Sequence, residues 1–311
     1  MKNSLYMNKT ILIISILGCA AATSHAQTVA PSDLFAWGDD SYSQVTGFGN
    51  ANVLKAADAG GYHNVAITKK SLVIAWGRND YGQADVPAGL NAKQVSAGVL
   101  HSLALTKTGT IEAWGRNDWG QTDVPPLPHP AKRISAGHQH NLAILTDGSV
   151  IAWGRNDYGE STVPTFAKRV VKVVAGGHHS LALMGNGTIQ AWGNNQFGQS
   201  SLPANLGEVA DIAAGEWHSI ALMADGSVIA WGRNEVGQTN VPSFSSGVQR
   251  IASGDNHNLA ILNDGSVVAW GYNAWGQVSN IPMLEGCPTH VSAGVRHSII
   301  LIPTTGPLRS L

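Results

Sequence analysis

Lys132 to Pro164 reads KRISAGHQHNLAILTDGSVIAWGRNDYGESTVP, and its apolar residues alternate with a period of two rather than the 3.6 of a helix. This alternation predicts short antiparallel strands joined by tight turns. Asp147-Gly148 has the composition of a two-residue hairpin turn. The predicted strands are 133–137, 140–145, 150–153 and a short fourth strand, 161–163, which the proline ends.

This stretch is one copy of a repeat of about 39 residues. Two marks recur in every copy, an Ala-Trp-Gly triplet and a Gly-x-x-His followed by alternating aliphatic residues. The triplet tryptophans are Trp37, Trp76, Trp114, Trp153, Trp192, Trp231 and Trp270. The repeated histidines are His63, His101, His140, His179, His218, His257 and His297. Seven copies fill nearly all of the chain after residue 26, which leaves no room for a second domain.

Four antiparallel strands in each of seven repeats predict an all-β fold, a seven-bladed β-propeller. The first repeat begins with a third strand, Leu34–Trp37, and the chain finishes with a first and second strand within Val291–Ile302. We expect these half-blades to pair, because their pairing completes the last blade and leaves no open sheet edge. Residues 27–311 are therefore predicted to form one propeller domain.

Residues 1–26 have the pattern of an export signal peptide. Lys2 and Lys9 accompany an apolar stretch, Ile11–Ala22, and Ser24-His25-Ala26 is a small-x-small cleavage site. A second interpretation stays open, because Ile16-Leu17-Gly18-Cys19 resembles the lipobox of bacterial lipoproteins. We expect a periplasmic or secreted protein, or an outer-membrane lipoprotein if the cysteine carries a lipid. Neither exported form is expected to contain an intramolecular disulfide.

The charge balance and the apolar content of the chain limit the kinds of partner that it is expected to bind. The chain has 19 Lys and Arg against 20 Asp and Glu, a formal net charge of −1, and 43% hydrophobic residues. Such a balance supplies no basic field for a phosphate backbone, so no nucleic acid is expected as partner. Since no apolar run reaches 18 residues, membrane contact is expected only through a lipid on Cys19. We expect a monomer.

Two loop positions vary from blade to blade and are predicted to lie on the same face of the propeller. The residues that precede the repeated histidines are Tyr62, Leu100, Gln139, His178, Trp217, Asn256 and Arg296. The residues two positions before the conserved Gln (Glu in one copy) are Tyr42, Tyr81, Trp119, Tyr158, Phe197, Val236 and Trp275. So many aromatic rings at one end are typical of a protein-binding surface, since they offer large contact area at low entropy cost. The predicted partner-binding residues are Tyr62, Trp217, Glu216, His178, Arg296, Tyr81, Trp119, Tyr158, Phe197 and Trp275.

No catalytic, cofactor or metal site is predicted. The seven tryptophans and seven histidines occur in every blade, which indicates packing and structural hydrogen bonds. His138 and His178 are additional histidines, but no carboxylate or thiolate adjoins them in sequence, so we expect no metal there. Glu160, Glu216, Glu235 and Asp255 are isolated acids of the kind usually found as solvated surface charges.

The motifs Gly-x-x-His-Ser-Leu-Ala-Leu, Asp-Gly-x-Val-x-Ala-Trp-Gly and Asn-x-x-Gly-Gln together resemble the regulator of chromosome condensation repeat. The short blade and the Gly-Gln-x-x-Val-Pro endings, at Gly120–Pro125 and Gly237–Pro242, are most similar to the secreted propeller-type beta-lactamase inhibitory protein. That resemblance implies that Tyr62 and Trp217 occupy aromatic positions on the face that grips a target enzyme. Five of the seven positions before the histidines differ from the mostly aromatic pattern of the inhibitor. The exchange-factor activity of the nuclear family members is not carried over to an exported chain.

Two functions stay open at this stage. The first is a non-catalytic protein-binding propeller that inhibits or scaffolds a partner such as a beta-lactamase-like enzyme. The alternative is a module that binds carbohydrate or another cell-surface ligand. A single protein site requires a varied set of residues, as before the histidines, whereas a repeated sugar site requires the same aromatic and polar pair in many blades. Both patterns occur in this sequence.

Overall fold

Every element of regular structure in the residues that the structure describes is a β-strand. The structure is a computed structural model, and it describes residues 12–14, 34–48, 54–284 and 286–302. The strands form seven antiparallel sheets, one for each blade. Those of the first three blades are β3 (Leu54–Ala59), β4 (His63–Thr68) and β5 (Val73–Gly77); β6 (Gln94–Ala97), β7 (His101–Leu105) and β8 (Ile111–Gly115); and β9 (Ala131–Ala136), β10 (His140–Leu145) and β11 (Val150–Gly154).

The remaining blades follow the same order. Blades 4, 5 and 6 contain β12 (Val170–Ala175), β13 (His179–Met184) and β14 (Ile189–Gly193); β15 (Val209–Ala214), β16 (His218–Met223) and β17 (Val228–Gly232); and β18 (Val248–Ser253), β19 (His257–Leu262) and β20 (Val267–Gly271). Blade 7 contains β21 (His290–Ala293) and β22 (His297–Leu301), with β2 (Leu34–Gly38) as its third strand. A further short strand, β1 (Leu12–Ile14), pairs with the outer edge of β20.

The ring closes as the sequence predicts. β2 pairs antiparallel with β22, from Leu34 opposite Leu301 to Gly38 opposite His297. The first strand of each blade lies against the first strand of the next, and β21 of blade 7 contacts β3 of blade 1. The all-β seven-bladed propeller is thereby confirmed.

The predicted fourth strand is wrong in detail. Residues 161–163 are not a strand, and the blade consists of three strands. The loop that precedes this segment captures its backbone, since Ser161 N–H donates to Asn156 Oδ1 at 2.9 Å and Thr162 N–H donates to the Gly159 carbonyl at 3.0 Å. These donors are therefore not available to a sheet ladder.

The hydrophobic core lies between blades. Trp153 of blade 3 packs with Leu103 and Leu105 of blade 2, and its indole Nε1–H donates to the Gln121 carbonyl at 3.1 Å. The same bond to the preceding blade is made by all seven triplet tryptophans, of which six are buried and Trp192 is partly buried. The prediction that these residues form the core between blades is confirmed.

The repeated histidines are fully buried and join each blade to the next. His63 Nε2 lies 2.9 Å from Ser102 Oγ, and that hydroxyl donates its own proton to the Gln83 carbonyl at 2.8 Å. The histidine must therefore donate from Nε2, which makes it the neutral tautomer with a bare Nδ1. The other six bonds join His101 to Asn141, His140 to Ser180, His179 to Ser219, His218 to Asn258, His257 to Ser298, and His297 to Asn64.

The cleavage site and the lipobox cysteine fall outside the described residues. Among the described residues, no helix has the length and apolar character needed to cross a membrane. Cys287 is disulfide-bonded in the full chain. The expectation of no intramolecular disulfide concerns the two exported forms, after cleavage or lipidation, and it stays a prediction.

Candidate functional site

Both variable loop positions lie at the same end of every blade. In blade 3 the first residue of β10, His140, is paired with the last residue of β11, Gly154. The loop that follows β11 is then tied to the residue before the histidine, because Arg155 N–H donates to the Gln139 carbonyl at 2.9 Å. We call this end the rim and define it by its two sets of residues: Tyr62, Leu100, Gln139, His178, Trp217, Asn256 and Arg296, and Tyr42, Tyr81, Trp119, Tyr158, Phe197, Val236 and Trp275.

The loop that carries the second set is fixed by a buried glutamine. Tyr81 N–H donates to Gln83 Oε1 at 2.9 Å, while the backbone carbonyl of Gln83 accepts the indole N–H of Trp114 in the next blade. The side-chain oxygen and the backbone carbonyl of Gln83 thus both hold the turn in place. The aromatic side chain of Tyr81 projects outward from it. Five of these aromatics are between 41% and 47% exposed: Tyr42, Tyr81, Trp119, Tyr158 and Trp275.

Arginines interleave with these rings around the rim. Arg116 of blade 2 lies over the ring of Tyr81 of blade 1, with Cζ 5.0 Å from the ring centroid, and Arg78, Arg155, Arg233 and Arg296 each cover the aromatic of the preceding blade in the same way. Four of these arginines also pair with an acid in their own loop: Arg78 with Asp80, Arg116 with Asp118, Arg155 with Asp157, and Arg233 with Glu235. Each stacked pair contributes about 0.5–1 kcal/mol at such exposed positions.

The position after the Ala-Trp-Gly triplet holds Asn194 in blade 4, Tyr272 in blade 6 and Asp39 in blade 7 instead of arginine, and the aromatic of blade 3 therefore has no arginine of the next blade over it. Tyr158 is contacted by the ring of His178 of blade 4, at a centroid distance of 5.7 Å, and by Arg155 of its own loop, with Cζ 5.5 Å from the ring centroid. His178 stacks on Trp217 at 4.4 Å, and Trp217 meets Phe197 edge-on at 5.5 Å. Four predicted site residues are therefore brought into one continuous aromatic stack on one side of the rim.

The predicted residues on the other side form a separate group. Tyr62 contacts Tyr42 at a centroid distance of 5.6 Å, and Arg296 lies over both Tyr62 and Trp275. Tyr62 is therefore not part of the stack that contains Trp217. Tyr81 and Trp119 lie between the two groups and are held by arginines rather than by other aromatics.

Inside the rim lies a smaller ring, which we call the mouth because it surrounds the end of the axial channel. Its members directly follow the repeated glycines: Gly61, Val99, His138, Gly177, Glu216, Asp255 and Val295. The channel beneath the mouth has a volume of about 210 Å³ and is lined by the first strands of all seven blades. Three of the seven members, in blades 3, 5 and 6, are titratable.

Charge is concentrated on one half of the mouth. His138 Nε2 lies 2.8 Å from Asp255 Oδ1, and both side chains are less than one-fifth exposed. Burial lowers the pKa of His138, but the attraction and hydrogen bond of Asp255 outweigh it, so the pKa is raised overall. Burial, and then the charge of Asp255, raise the pKa of Glu216.

His178 lies directly beside this pair. Burial, and then the positive charge of His138, lower the pKa of His178 to about 4. Its Nδ1 is buried and has no hydrogen-bond partner. One nitrogen from each of His138 and His178 and one carboxylate oxygen of Glu216 all lie within 4.8 Å of one another. The three side chains come from successive blades and are about 40 residues apart in sequence.

The sequence predicted Glu216 and His178 for the partner-binding face but did not indicate the mouth as a ring. Of the stacked arginines it predicted only Arg296, because Arg78, Arg116, Arg155 and Arg233 belong to a repeated turn. A signal was available for the mouth, because the position after the repeated glycine varies from blade to blade, as the position before the repeated histidine also does. The role of the named residues in binding a partner stays a prediction.

Six segments of the chain match one known repeat family. The model of the Regulator of chromosome condensation (RCC1) repeat matches residues 55–83, 92–121, 131–160, 170–199, 209–238 and 248–277, more than half of the chain. No curated protein sequence matches at a significant level.

Among solved structures, Prp20p from Saccharomyces cerevisiae has a TM-score of 0.75 and 20% identity, and the match covers 88% of this chain and 92% of that chain. Yeast RCC1 (Prp20) bound to Kap60 has a TM-score of 0.73 and 18% identity, with 96% of each chain covered. The ectodomain of the Arabidopsis thaliana receptor kinase ACR4 has a TM-score of 0.67 and 22% identity, with 80% of this chain and 89% of that chain covered. At these identities the likeness concerns the fold alone.

Proposed function

Because the chain belongs to the regulator of chromosome condensation (RCC1) repeat family, we propose that it is a non-catalytic propeller that binds a partner protein through its rim. Propellers of this fold are known as protein binders: Prp20p is described by its binding to Gsp1p and histones, and yeast RCC1 by its complex with Kap60. Neither partner is transferred to this chain. We propose that the chain acts as a monomer.

One observation carries the proposal. In the residues that the structure describes, every exposed Tyr and Trp side chain lies on the rim, and no Phe side chain is exposed. Exposed rings gathered on one face, held by arginines and by buried glutamines, form a rigid surface with little side-chain entropy left to lose on binding. The exposed apolar residues elsewhere, such as Leu72 and Met283, are single aliphatic side chains.

The rim differs between its two sides, which favours one protein partner over a repeated small ligand. The stack around Trp217 and the group around Tyr62 have different compositions, so a partner must match both at once. We propose that the partner is an exported enzyme of the beta-lactamase type, on the strength of the blade length and the Gly-Gln-x-x-Val-Pro endings. The five positions at which the sequence departs from that inhibitor would then set a different target range.

The test compares the wild-type protein with the Tyr62→Ala/Trp217→Ala variant. The full chain carries a C-terminal tag and is used for capture from periplasmic and secreted extracts of the host and for binding and inhibition of a purified beta-lactamase. We expect the wild type to retain one partner protein and the variant to lose it, with affinity reduced at least about 100-fold, since each central aromatic contributes 2 kcal/mol or more.

The matched control is Leu72→Ala. Leu72 is 41% exposed and lies in the hairpin between β4 and β5, at the end of blade 1 opposite His63 and Gly77. This control should bind like the wild type. Equal capture by the wild type and the double variant would contradict the rim assignment. Loss of capture by Leu72→Ala would move the site to the opposite face.

A carbohydrate ligand is the second candidate, because blades 1, 2 and 3 repeat an Asn-Asp-aromatic-Gly loop. In the structure the acid of each loop is bonded to its arginine, as in Arg78 Nε to Asp80 Oδ2 at 2.7 Å. The polar groups that would bind sugar hydroxyls are thus already engaged. A glycan array probed with the wild type and with Trp119→Ala decides this point, and specific glycan binding lost in the variant would favour the second candidate.

We also propose that the chain is exported and is cleaved after Ala26, or is lipidated at Cys19 after cleavage before that residue. The positive n-region, the apolar stretch and the small-x-small site support export. Intact mass measurement of the protein from fractionated cells separates the outcomes: a mature chain that begins at Gln27, a lipidated chain that begins at Cys19, or an uncleaved cytoplasmic chain, which would contradict export.

A further inference from the structure

The charged half of the mouth contains an arrangement that the binding of a partner protein does not require. His138, His178 and Glu216 place one nitrogen, one nitrogen and one oxygen within 4.8 Å of one another. A zinc ion bonded to such atoms at about 2.1 Å holds them about 3.4 Å apart. Rotations about the side-chain bonds of His178 and Glu216 close this difference, while Asp255 holds the ring of His138.

The surroundings of these groups favour a cation. Glu216 and Asp255 bring two carboxylates to the mouth, and the nearby arginines, Arg155 and Arg233, are already bonded to Asp157 and Glu235 in their own loops. A divalent ion would neutralise this negative charge at a partly buried site.

Two features of the ligand set point the same way. His178 Nδ1 is buried without a hydrogen-bond partner, so one ring nitrogen at the mouth has its lone pair unused. Asp255 holds the ring of His138 by a 2.8 Å bond, which is the role carboxylates play beside metal-bound histidines. Gly177 makes room for the third group, because a Cβ at that residue would lie 2.9 Å from Glu216 Cγ.

We propose that His138, His178 and Glu216 bind a divalent transition-metal ion of the Zn²⁺ class at the mouth of the propeller, with Asp255 as the residue that orients His138. Two imidazoles and one carboxylate leave a fourth position of a tetrahedral site open to water or to a side chain of a partner. The ion joins blades 3, 4 and 5, so binding also stabilises the ring. This proposal does not depend on the identity of the protein partner.

The experiment uses the full chain, purified without a polyhistidine tag and treated with a chelator. Zn²⁺ is titrated in competition with a chromophoric chelator, and Co²⁺ is added separately to record the visible absorption typical of a tetrahedral site. We expect one equivalent of Zn²⁺ to bind, and we expect the thermal midpoint to rise with Zn²⁺ concentration.

Four variants make the test specific. His178→Ala and Glu216→Gln should each weaken Zn²⁺ binding at least 100-fold, and Asp255→Asn should weaken it about 10- to 100-fold. His129→Ala is the matched control, because that ring is more than half exposed and its ion pair is with Asp147, away from the mouth. This control should keep the wild-type affinity. The metal-free thermal midpoint of each variant checks that it is folded, and Glu216→Gln carries the test if His178→Ala fails to fold.

Three outcomes would overturn the proposal. The first is a wild type that binds no Zn²⁺ at micromolar concentration. The second is a site retained in both His178→Ala and Glu216→Gln. The third is a site lost in His129→Ala.

Discussion

Glu160 occupies a position that holds glutamine in the other six blades, and its side chain is fully buried. Its Oε2 accepts the N–H of Tyr158 at 2.8 Å, as the glutamine Oε1 does elsewhere, but its Oε1 is buried without a hydrogen bond. A buried carboxylate oxygen without a hydrogen-bond partner has lost its contacts with water and has gained no hydrogen bond in the protein, which lowers the free energy of unfolding. Gln44, Gln83 and Gln277 likewise leave Nε2 buried without a hydrogen bond, so Glu160 differs from them in placing a carboxylate rather than an amide at this position.

The Glu160→Gln variant should be more stable than the wild type by about 1–3 kcal/mol, because the amide keeps the bond to Tyr158 and removes a buried charge. Urea denaturation followed by tryptophan fluorescence measures the difference. Gln121→Glu is the mirror-image control, since Gln121 accepts the N–H of Trp119 at 2.9 Å in the neighbouring blade, and it should lose a similar amount. A Glu160→Gln variant of lower stability would show that the carboxylate has a partner that stabilises it.

At the scale of the strand and loop, the first strand of each blade is followed by a glycine that lies against the ring of the repeated histidine. A Cβ at Gly98 would overlap the ring of His101 and lie 2.6 Å from the Gly137 carbonyl oxygen of the next blade. Gly159 is different, because it has a φ of +80° and nothing lies within 4 Å of its Cβ position. One glycine is required by packing and the other by backbone conformation.

Gly98→Ala should cost about 3 kcal/mol or more, because the added methyl displaces His101 and breaks its 2.7 Å bond to Asn141. Gly159→Ala should cost only about 1 kcal/mol, the cost of a positive φ in a residue with a side chain. Thermal unfolding of the two variants provides the measurement. Equal losses would mean that the first strands can shift apart and that the histidine ring does not fix blade spacing.

The strands were predictable from the sequence because their apolar residues alternate and because glycine marks their ends. The second strand of blade 3 is predicted as 140–145 and found as His140–Leu145. The absence of the short fourth strand could not be predicted, because Ser161–Val163 has the composition of an ordinary strand. The side chain of Asn156 accepts a hydrogen bond from the backbone of this segment, five residues further along the chain. An alternation of apolar residues does not indicate such a bond.

At the scale of the whole molecule, the repeat fixes which blades touch but not which side chains meet across the axis. Closure of the ring followed from the two half-blades, and the aromatic character of the rim followed from its loop positions. The bond from His138 to Asp255 joins residues 117 apart, in blades 3 and 6. Such a contact depends on the radius and curvature of the ring, which emerge only when all seven blades are assembled.

The ring of buried histidines makes the whole propeller sensitive to acid. Burial lowers the pKa of His63, His179 and His257 to about 3 and of His101, His218 and His297 to about 4. The pKa of His140 is lowered well below its ordinary value for the same reason. Each ring already donates a hydrogen bond from Nε2 to the next blade. If Nδ1 were also protonated, its N–H would have no acceptor. The folded state therefore keeps these histidines neutral at pH values where the unfolded chain, with histidine pKa values near 6.5, binds protons.

A group whose folded pKa lies below its unfolded pKa contributes stability that is present above the unfolded value and is lost as the pH falls. We expect the free energy of unfolding to be nearly constant above about pH 7 and to fall steeply below about pH 6.5, because each histidine kept neutral in the folded state lowers it by up to about 1.4 kcal/mol per pH unit, so that the protein unfolds before pH 4 is reached. His138 opposes this trend, because its pKa is raised. Urea denaturation at a series of pH values should show about seven more protons bound to the unfolded than to the folded state near pH 5.5, because His178, with its pKa of about 4, adds to the seven repeated histidines. A His257→Gln variant that still folds should show one proton fewer, and a stability that stays constant from pH 7.5 to 5 would contradict a ring of neutral, buried histidines.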